Sequence, residues 1–311
     1  MVMKVGIIGL NEGNGHPFSF SSIINGYDRQ AMKAAGWKVI LDYLEVRDPS
    51  EFGFNDINVT HAWTQNPELT KQLCEACFIK NEVKNLSDLA EQVDAVIIAR
   101  DDYESHKKIA ASFLEKNLPV FIDKPLSINQ DELRYFKPFL ENGTLMSCSA
   151  MRYAKELDDF HKNGAEYGDL PLIRAIGPLS WEKYGIHLLE AMLPTISSPP
   201  HSVISLSKNH DAIALSMKNG TLFQIDTLAT LLSASQVPFQ IEIWGTEKQT
   251  MVTIQDNFSM FRRALWHFFN MIDTGVPAIS PHSTLILMKV LIAGQRSQQE
   301  NREVFVDEII I

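Results

Sequence analysis

The sequence predicts an α/β amino-terminal domain with a doubly wound parallel sheet, then an α+β domain with an open, mainly antiparallel sheet. Three observations carry this expectation. Over residues 1–125, short apolar runs alternate with helical patterns, the order that builds parallel strands with crossover helices. Beyond Gly164, several β-like runs follow one another with turn signals such as Asn219-Gly220 and Gly245-Thr246 between them. A chain of 311 residues, 45% of them hydrophobic, is long enough to bury two cores. The boundary is placed after residue 125, giving domains 1–125 and 126–311.

Residues 3–10, MKVGIIGL, read as a buried strand entering the loop Asn11-Glu12-Gly13-Asn14-Gly15-His16-Pro17, with a helix expected within 19–26. Strand, tight turn and helix N-terminus are what a dinucleotide pyrophosphate requires. Counted from Gly9, the second and third glycines of that pattern fall on Asn11 and Asn14, and asparagine is the next best residue at positive φ. Gly9, Asn11, Glu12, Gly13 and Asn14 are therefore the candidate phosphate-loop residues. Residues 37–44 read as a second β-run, and 59–64 as a strand ending at Thr64 and Gln65. An acidic residue there would take the adenosine 2′-hydroxyl of NAD, and a nearby arginine would suit the 2′-phosphate of NADP. Thr64 and Gln65 specify neither.

Residues 94–127 are the centre of the chain. The apolar run 94–99 ends at Ala99 in Arg100-Asp101-Asp102, and Asp101 with Glu104 forms the pattern of a capping box for the following helix. Residues 117–119 stop that helix, and the run 120–123 ends in Asp123-Lys124-Pro125. A strand–helix–strand crossover delivers both charged groups to the carboxyl edge of one sheet, where ligands bind in open α/β sheets. Helices are expected over 67–78, 131–140 and 152–162, an amphipathic helix over 181–193, and two closing helices over 258–274 and 282–301. The β-runs 202–206, 212–217, 221–227, 240–244 and 250–254 suit an antiparallel meander.

With 38 acidic against 28 basic residues the net charge is −10, so neither nucleic acid nor anionic membrane is an expected partner. No apolar run approaches the roughly 18 residues of a membrane span. No signal-peptide pattern precedes Val5, so a cytoplasmic protein is expected. Cys74 and Cys77 form C-x-x-C inside a helical pattern rather than at a helix start, and Cys148 is distant. They read as buried structural thiols, with no metal site.

Together these residues resemble the glucose–fructose oxidoreductase, inositol dehydrogenase and MocA-like (Gfo/Idh/MocA) oxidoreductases. The resemblance is carried by VGIIG, DAVIIA with His106 beyond it, Asp123-Lys124-Pro125-Leu126-Ser127, Gly185-Ile186-His187-Leu188-Leu189-Glu190 and the closing two-helix segment. It implies a Rossmann domain, an NAD or NADP cofactor, a sugar, cyclitol or related polyol substrate, and a homodimer or homotetramer through the carboxyl-terminal sheet. It carries Lys124 over as the residue beside the nicotinamide and the reacting oxygen, His187 as proton donor or acceptor, and Asp123 as a nicotinamide-ribose contact. His106 reads as a structural or cofactor-edge residue.

Hydride transfer from a secondary alcohol leaves an O–H proton to be removed, which calls for such a base or acid. Two departures stand out. Where the family usually has an aspartate four residues before the histidine, this chain has Lys183. At i, i+4 Lys183 and His187 would share a helix face, so Lys183 could lower the pKa of Lys124 or His187, or bind an anionic substrate group. Alternatively Lys183 reaches solvent and Tyr184 or Glu182 contacts substrate. The second departure is Arg100-Asp101-Asp102, readable as a ribose-edge cluster or as a solvated helix cap. The competing function is a non-catalytic NAD(P)- or sugar-binding regulatory protein on the same fold, and a weaker third is an aldehyde- or imine-reducing enzyme.

Overall fold

Apolar strands buried on both faces make the first sheet. The computed structural model describes residues 2–229 and 237–311. The chain divides into two compact units, one formed by residues 1–127, 134–148 and 261–281, the other by residues 128–133, 149–260 and 282–311.

In the first unit, strand β1 (Met3–Ile8) is followed by helices α1 (His16–Asn25), α2 (Arg29–Ala34) and α3 (Lys38–Glu45). Then come β2 (Ile57–Trp63), α4 (Pro67–Ala76), β3 (Asn81–Glu82), β4 (Ala95–Ile98), α5 (Tyr103–Leu114), β5 (Val120–Ile122), α6 (Gln130–Glu141) and β6 (Leu145–Ser147). The six strands are parallel in the order β3-β2-β1-β4-β5-β6, the doubly wound arrangement with its switch point beside β1. Val5, Ile7, Ile8 and all of β4 and β5 are buried, as strands covered by helices on both faces must be. Register puts Ile8 beside Ile98 and Ile98 beside Ile122, so the loops after β1, β4 and β5 open at one edge.

Three local expectations are corrected here. Residues 37–44 are not a strand: Ile40, Leu41 and Leu44 are buried while Val39 is exposed, a helical period that wins over the β-branched composition of a short run. Asp101 does not cap α5. The residue at the helix start is Asp102, which makes no capping bond because the Arg100 guanidinium holds it at 2.8 and 2.7 Å. Finally, α1 begins at His16, ahead of the expected 19–26. Cys74 and Cys77 are buried, and burial pushes both thiols up to about 12, as inert structural cysteines require.

The second unit contains α7 (Asp158–Asn163), β7 (Leu172–Pro178), α8 (Ile186–Met192), β8 (Pro200–Ser205), β9 (Asp211–Met217), β10 (Leu222–Leu228), β11 (Phe239–Trp244) and β12 (Gln249–Ile254). The long helices α9 (Asn257–Thr274) and α10 (Pro281–Glu300) and the short β13 (Val304–Phe305) follow, with residues 261–274 of α9 belonging to the first unit. Among the described residues its seven strands run β12-β11-β7-β10-β9-β8-β13. The expected meander is corrected at one place: β7 lies between β11 and β10 and pairs in parallel with β10, the other pairings being antiparallel. The helix expected over 152–162 is instead broken into short 3₁₀ turns before α7.

The stretch 181–193 is corrected more deeply. Residues Trp181–Gly185 form a π turn, α8 follows, and Leu193–Thr195 close it as a 3₁₀ turn containing Pro194. Every residue of α8 is buried, so it is a core helix rather than an amphipathic one. Trp181 anchors it: its backbone N–H donates to Asp211 at 2.7 Å and its indole N–H to the Leu291 carbonyl at 3.0 Å. A Cβ at Gly185 would stand 2.5 Å from the Trp181 ring, which is why glycine precedes His187.

Candidate active site

In the first unit, the loops after β1, β4 and β5 meet in a chain of polar contacts. Asp123 is buried and accepts from three directions: its own following amide, Lys124 N–H, at 2.9 Å, the Asn14 amide at 3.3 Å, and His16 Nδ1 at 2.5 Å. Burial pushes this carboxyl up, but His16 and then Lys124 outweigh it and hold it below the usual carboxylate range. Lys124 is itself buried, with Nζ 3.3 Å from Asp101. Asp101 also takes the Asn11 amide and donates its own backbone N–H to Asn11 Oδ1 at 3.2 Å. Burial raises the Asp101 carboxyl and Lys124 with Asn11 more than reverses this, again leaving it below its ordinary value.

The asparagines therefore work differently from the expectation. Neither Asn11 nor Asn14 takes positive φ; in this loop only Gly13 does, at 78°. Their side chains instead tie the loop to Asp101 and Asp123, and Asn14 Oδ1 also accepts the His16 amide at 2.8 Å. A Cβ at Gly15 would stand 2.6 Å from Ile40 and 2.7 Å from Trp37, so the loop closes down on α3. Among the described residues, the N–H groups of Glu12, Gly13 and Gly15 find no hydrogen-bond acceptor, and Glu12 is exposed. Such a loop, with bare amides at a sheet's carboxyl edge, fits a pyrophosphate.

Other candidate residues serve the protein's own framework. Ala99 extends the ladder by donating to the Ile8 carbonyl at 2.8 Å. Thr64 is buried, its hydroxyl donating to the Asn66 carbonyl at 2.6 Å and lying 2.9 Å from Thr70 Oγ1. Gln65 accepts the Leu10 amide at 3.1 Å and donates back to the Leu10 carbonyl, while Arg100 donates to Gln65 at 2.9 Å and to Leu10 at 3.2 Å. His106 is fully buried between the carbonyls of Leu126, at 3.0 Å, and Arg100, at 2.9 Å, joining the loops after β4 and β5.

In the second unit His187 is buried on α8, its Nδ1 2.7 Å from Ser149 Oγ. Its ring lies 5.0 Å from Tyr184 and 5.7 Å from Phe239, which are stacked on each other. Glu190, one turn on and buried, pairs with Arg152 at 2.6 Å and accepts the Ser149 backbone N–H. Burial raises the Glu190 carboxyl, and Arg152 offsets part of that rise. Lys183 is exposed and lies within the π turn, where i, i+4 spacing does not stack side chains as it does in an α-helix.

Sequence reasoning missed His16 and Ser149. His16 sits 107 residues from its partner Asp123, and the one available signal was a histidine at the entry to a helix opening at the sheet edge. Nothing local marks Ser149. Among the described residues, no three His, Cys, Asp or Glu side chains are grouped to hold a metal ion, and no helix is long and apolar enough to cross a membrane.

Sheet order and loop chemistry define the first unit as a dinucleotide-binding domain. Residues 3–142 match the model of a family described as "Oxidoreductase family, NAD-binding Rossmann fold". No curated protein matches the chain in sequence. Similar solved structures include myo-inositol 2-dehydrogenase from Lactobacillus plantarum, at 14% identity and TM-score 0.76, covering 98% of this chain and 99% of that one. The scyllo-inositol dehydrogenase of Lactobacillus casei, solved with bound NAD(H) and scyllo-inositol, gives 17% identity and TM-score 0.71 over 99% of this chain and 100% of that one. A myo-inositol dehydrogenase from Corynebacterium glutamicum gives 12% and 0.74 over 98% and 99%. At these identities the likeness establishes a shared fold along both units.

Proposed function

We propose that the protein is an NAD(P)-dependent oxidoreductase that moves a hydride between the nicotinamide and a CH–OH or carbonyl carbon of a sugar, cyclitol or related polyol. Lys124 is read as the residue that handles the proton of the reacting oxygen, and His187, in the second unit, as a proton donor or acceptor. The observation that carries this reading is a buried lysine held at the carboxyl edge of the doubly wound sheet by Asp101, beside a buried aspartate. Bound NAD(P) supplies the hydride acceptor or donor. The amides of Glu12, Gly13 and Gly15 would hold its pyrophosphate, and Lys124 Nζ takes up or returns the substrate proton. The named activities of the inositol dehydrogenases favour a cyclitol or sugar among possible alcohols.

The choice between NAD and NADP turns on the end of β2, where Arg100 rather than a carboxylate accompanies Gln65. Titration of NADH and NADPH by fluorescence, followed by absorbance at 340 nm with a polyol panel, tests the reading. Nucleotide binding with no turnover of any polyol would transfer support to a non-catalytic regulatory protein. One observation favours that second reading: the side chains of Thr64 and Gln65 are already engaged within the protein. We further propose a homo-oligomer formed through the open sheet, on which Leu222, Trp244 and Met251 are exposed. A soluble cytoplasmic location is part of the same proposal.

A further inference from the structure

We propose that Asp102, carried on the guanidinium of Arg100, reads the adenosine ribose of the bound nucleotide and selects NAD over NADP. The inference rests on the nicotinamide nucleotide of the proposed function and on contacts within the first unit alone. It does not depend on turnover.

In a doubly wound sheet the adenosine ribose is read at the end of β2. A carboxylate there accepts its 2′-hydroxyl, or an arginine takes a 2′-phosphate. The β2-end residues of this chain are already engaged. Thr64 Oγ1 donates to the Asn66 carbonyl at 2.6 Å. Gln65 Oε1 accepts from the Leu10 amide at 3.1 Å and from Arg100 at 2.9 Å, and its own amide donates back to the Leu10 carbonyl. A ribose at this edge needs an acceptor from elsewhere.

Arg100 supplies one by reaching from the end of β4 past that of β1 to that of β2. Its Nη1 donates to the Leu10 carbonyl at 3.2 Å and to Gln65 at 2.9 Å. Its Nε and Nη2 hold the two oxygens of Asp102 at 2.8 and 2.7 Å, a bidentate fork that fixes the plane of the carboxylate. Four of the five N–H groups of the guanidinium are thus committed, and a 2′-phosphate could claim it only by breaking the fork. Asp102 is placed differently. It makes no capping bond to α5, and Arg100 uses one lone pair on each of its oxygens. Its side chain is 32% exposed against 11% for Arg100, so the pair turns its carboxylate rather than its guanidinium to solvent. From the loop after β4, Asp102 therefore offers the acceptor that an acid on β2 would offer. Its charge accepts from a 2′-hydroxyl and repels a 2′-phosphate, so the selection works by repulsion as well as attraction.

Fluorescence titration of the full-length protein with NADH and NADPH tests this, with 5′-AMP and adenosine 2′,5′-bisphosphate as competitors that carry only the adenosine end. NADH should bind at least about tenfold more tightly than NADPH, and 5′-AMP should compete better than the bisphosphate. Asp102→Asn keeps the shape and removes the charge. It should shrink the NADH-to-NADPH ratio by about tenfold, chiefly by tightening NADPH. Arg100→Lys cannot form the fork and should also lower the ratio, here by weakening NADH. Equal or tighter binding of NADPH by the unaltered protein overturns the proposal, and that measurement needs no variant to fold. An unchanged ratio in either folded variant overturns it too. If NADH is selected as expected and no polyol is turned over, the proposed oxidoreductase activity fails and the ribose assignment stands.

Discussion

His16 Nδ1 lies 2.5 Å from the buried carboxylate of Asp123, joining the start of α1 to the end of β5. A dinucleotide-fold helix commonly offers its bare N-terminus to phosphate; here the first helical residue instead spends its ring on the acid beside Lys124. Removing the ring should leave Asp123 under-satisfied in a buried place. His16→Ala is expected to cost about 1–3 kcal/mol, and Asp123→Ala, which strands three donors, about 3–5 kcal/mol. Urea denaturation with unchanged m-values checks both.

Acid should unfold the first unit through the same groups. Asp101 and Asp123 both ionise below their ordinary range in the folded protein. Each therefore adds stability that is complete above the unfolded carboxylate value, about pH 4, and is lost as pH falls through the lower folded value. Asp101→Asn and Asp123→Asn should flatten the fall in stability below about pH 4, as followed by thermal melts across that window. A fall of the same steepness in both variants would mean that other carboxylates control acid unfolding.

Lys124 separates binding from chemistry. If, as proposed, the loop amides rather than this amine hold the pyrophosphate, Lys124→Met should lower kcat by at least about a hundredfold while NAD(P)H affinity changes little. Loss of nucleotide affinity on the same scale would assign the lysine to cofactor binding instead.

Lys183 is expected to matter less to proton affinities than its place in the sequence suggests. It is exposed and set on a π turn, so its charge is screened by solvent. Lys183→Met should leave the pH–rate profile in place. A profile displaced by about one pH unit would restore it as an electrostatic partner of the catalytic groups, and a raised KM confined to anionic substrates would make it a substrate contact.

The cysteines offer a simple check on burial. Cys74, Cys77 and Cys148 are all buried, with the first two thiols pushed up to about 12. A thiol reagent such as DTNB should titrate none of them at pH 8 in the native protein and all three in guanidinium. Rapid labelling of the native C-x-x-C pair would argue for a redox role.

Much of the strand and helix order, the second sheet's β-runs and the placement of Asp123 and Lys124 at a strand end were legible from residues 1 to 311, because hydrophobic period and turn residues are local signals. Those signals failed where two periods compete in a short run, as over 37–44, and where burial on every side erases amphipathicity, as in α8. Tertiary structure alone decided which polar side chains meet. Asp101 leaves the helix cap for Asn11 and Lys124, Asn14 and His16 turn to Asp123, and Ser149 finds His187. These contacts join residues 23 to 109 positions apart, and only the packed sheet edge and the core helix bring them within hydrogen-bond reach. A buried polar group must find a partner, but its sequence neighbours do not say which one.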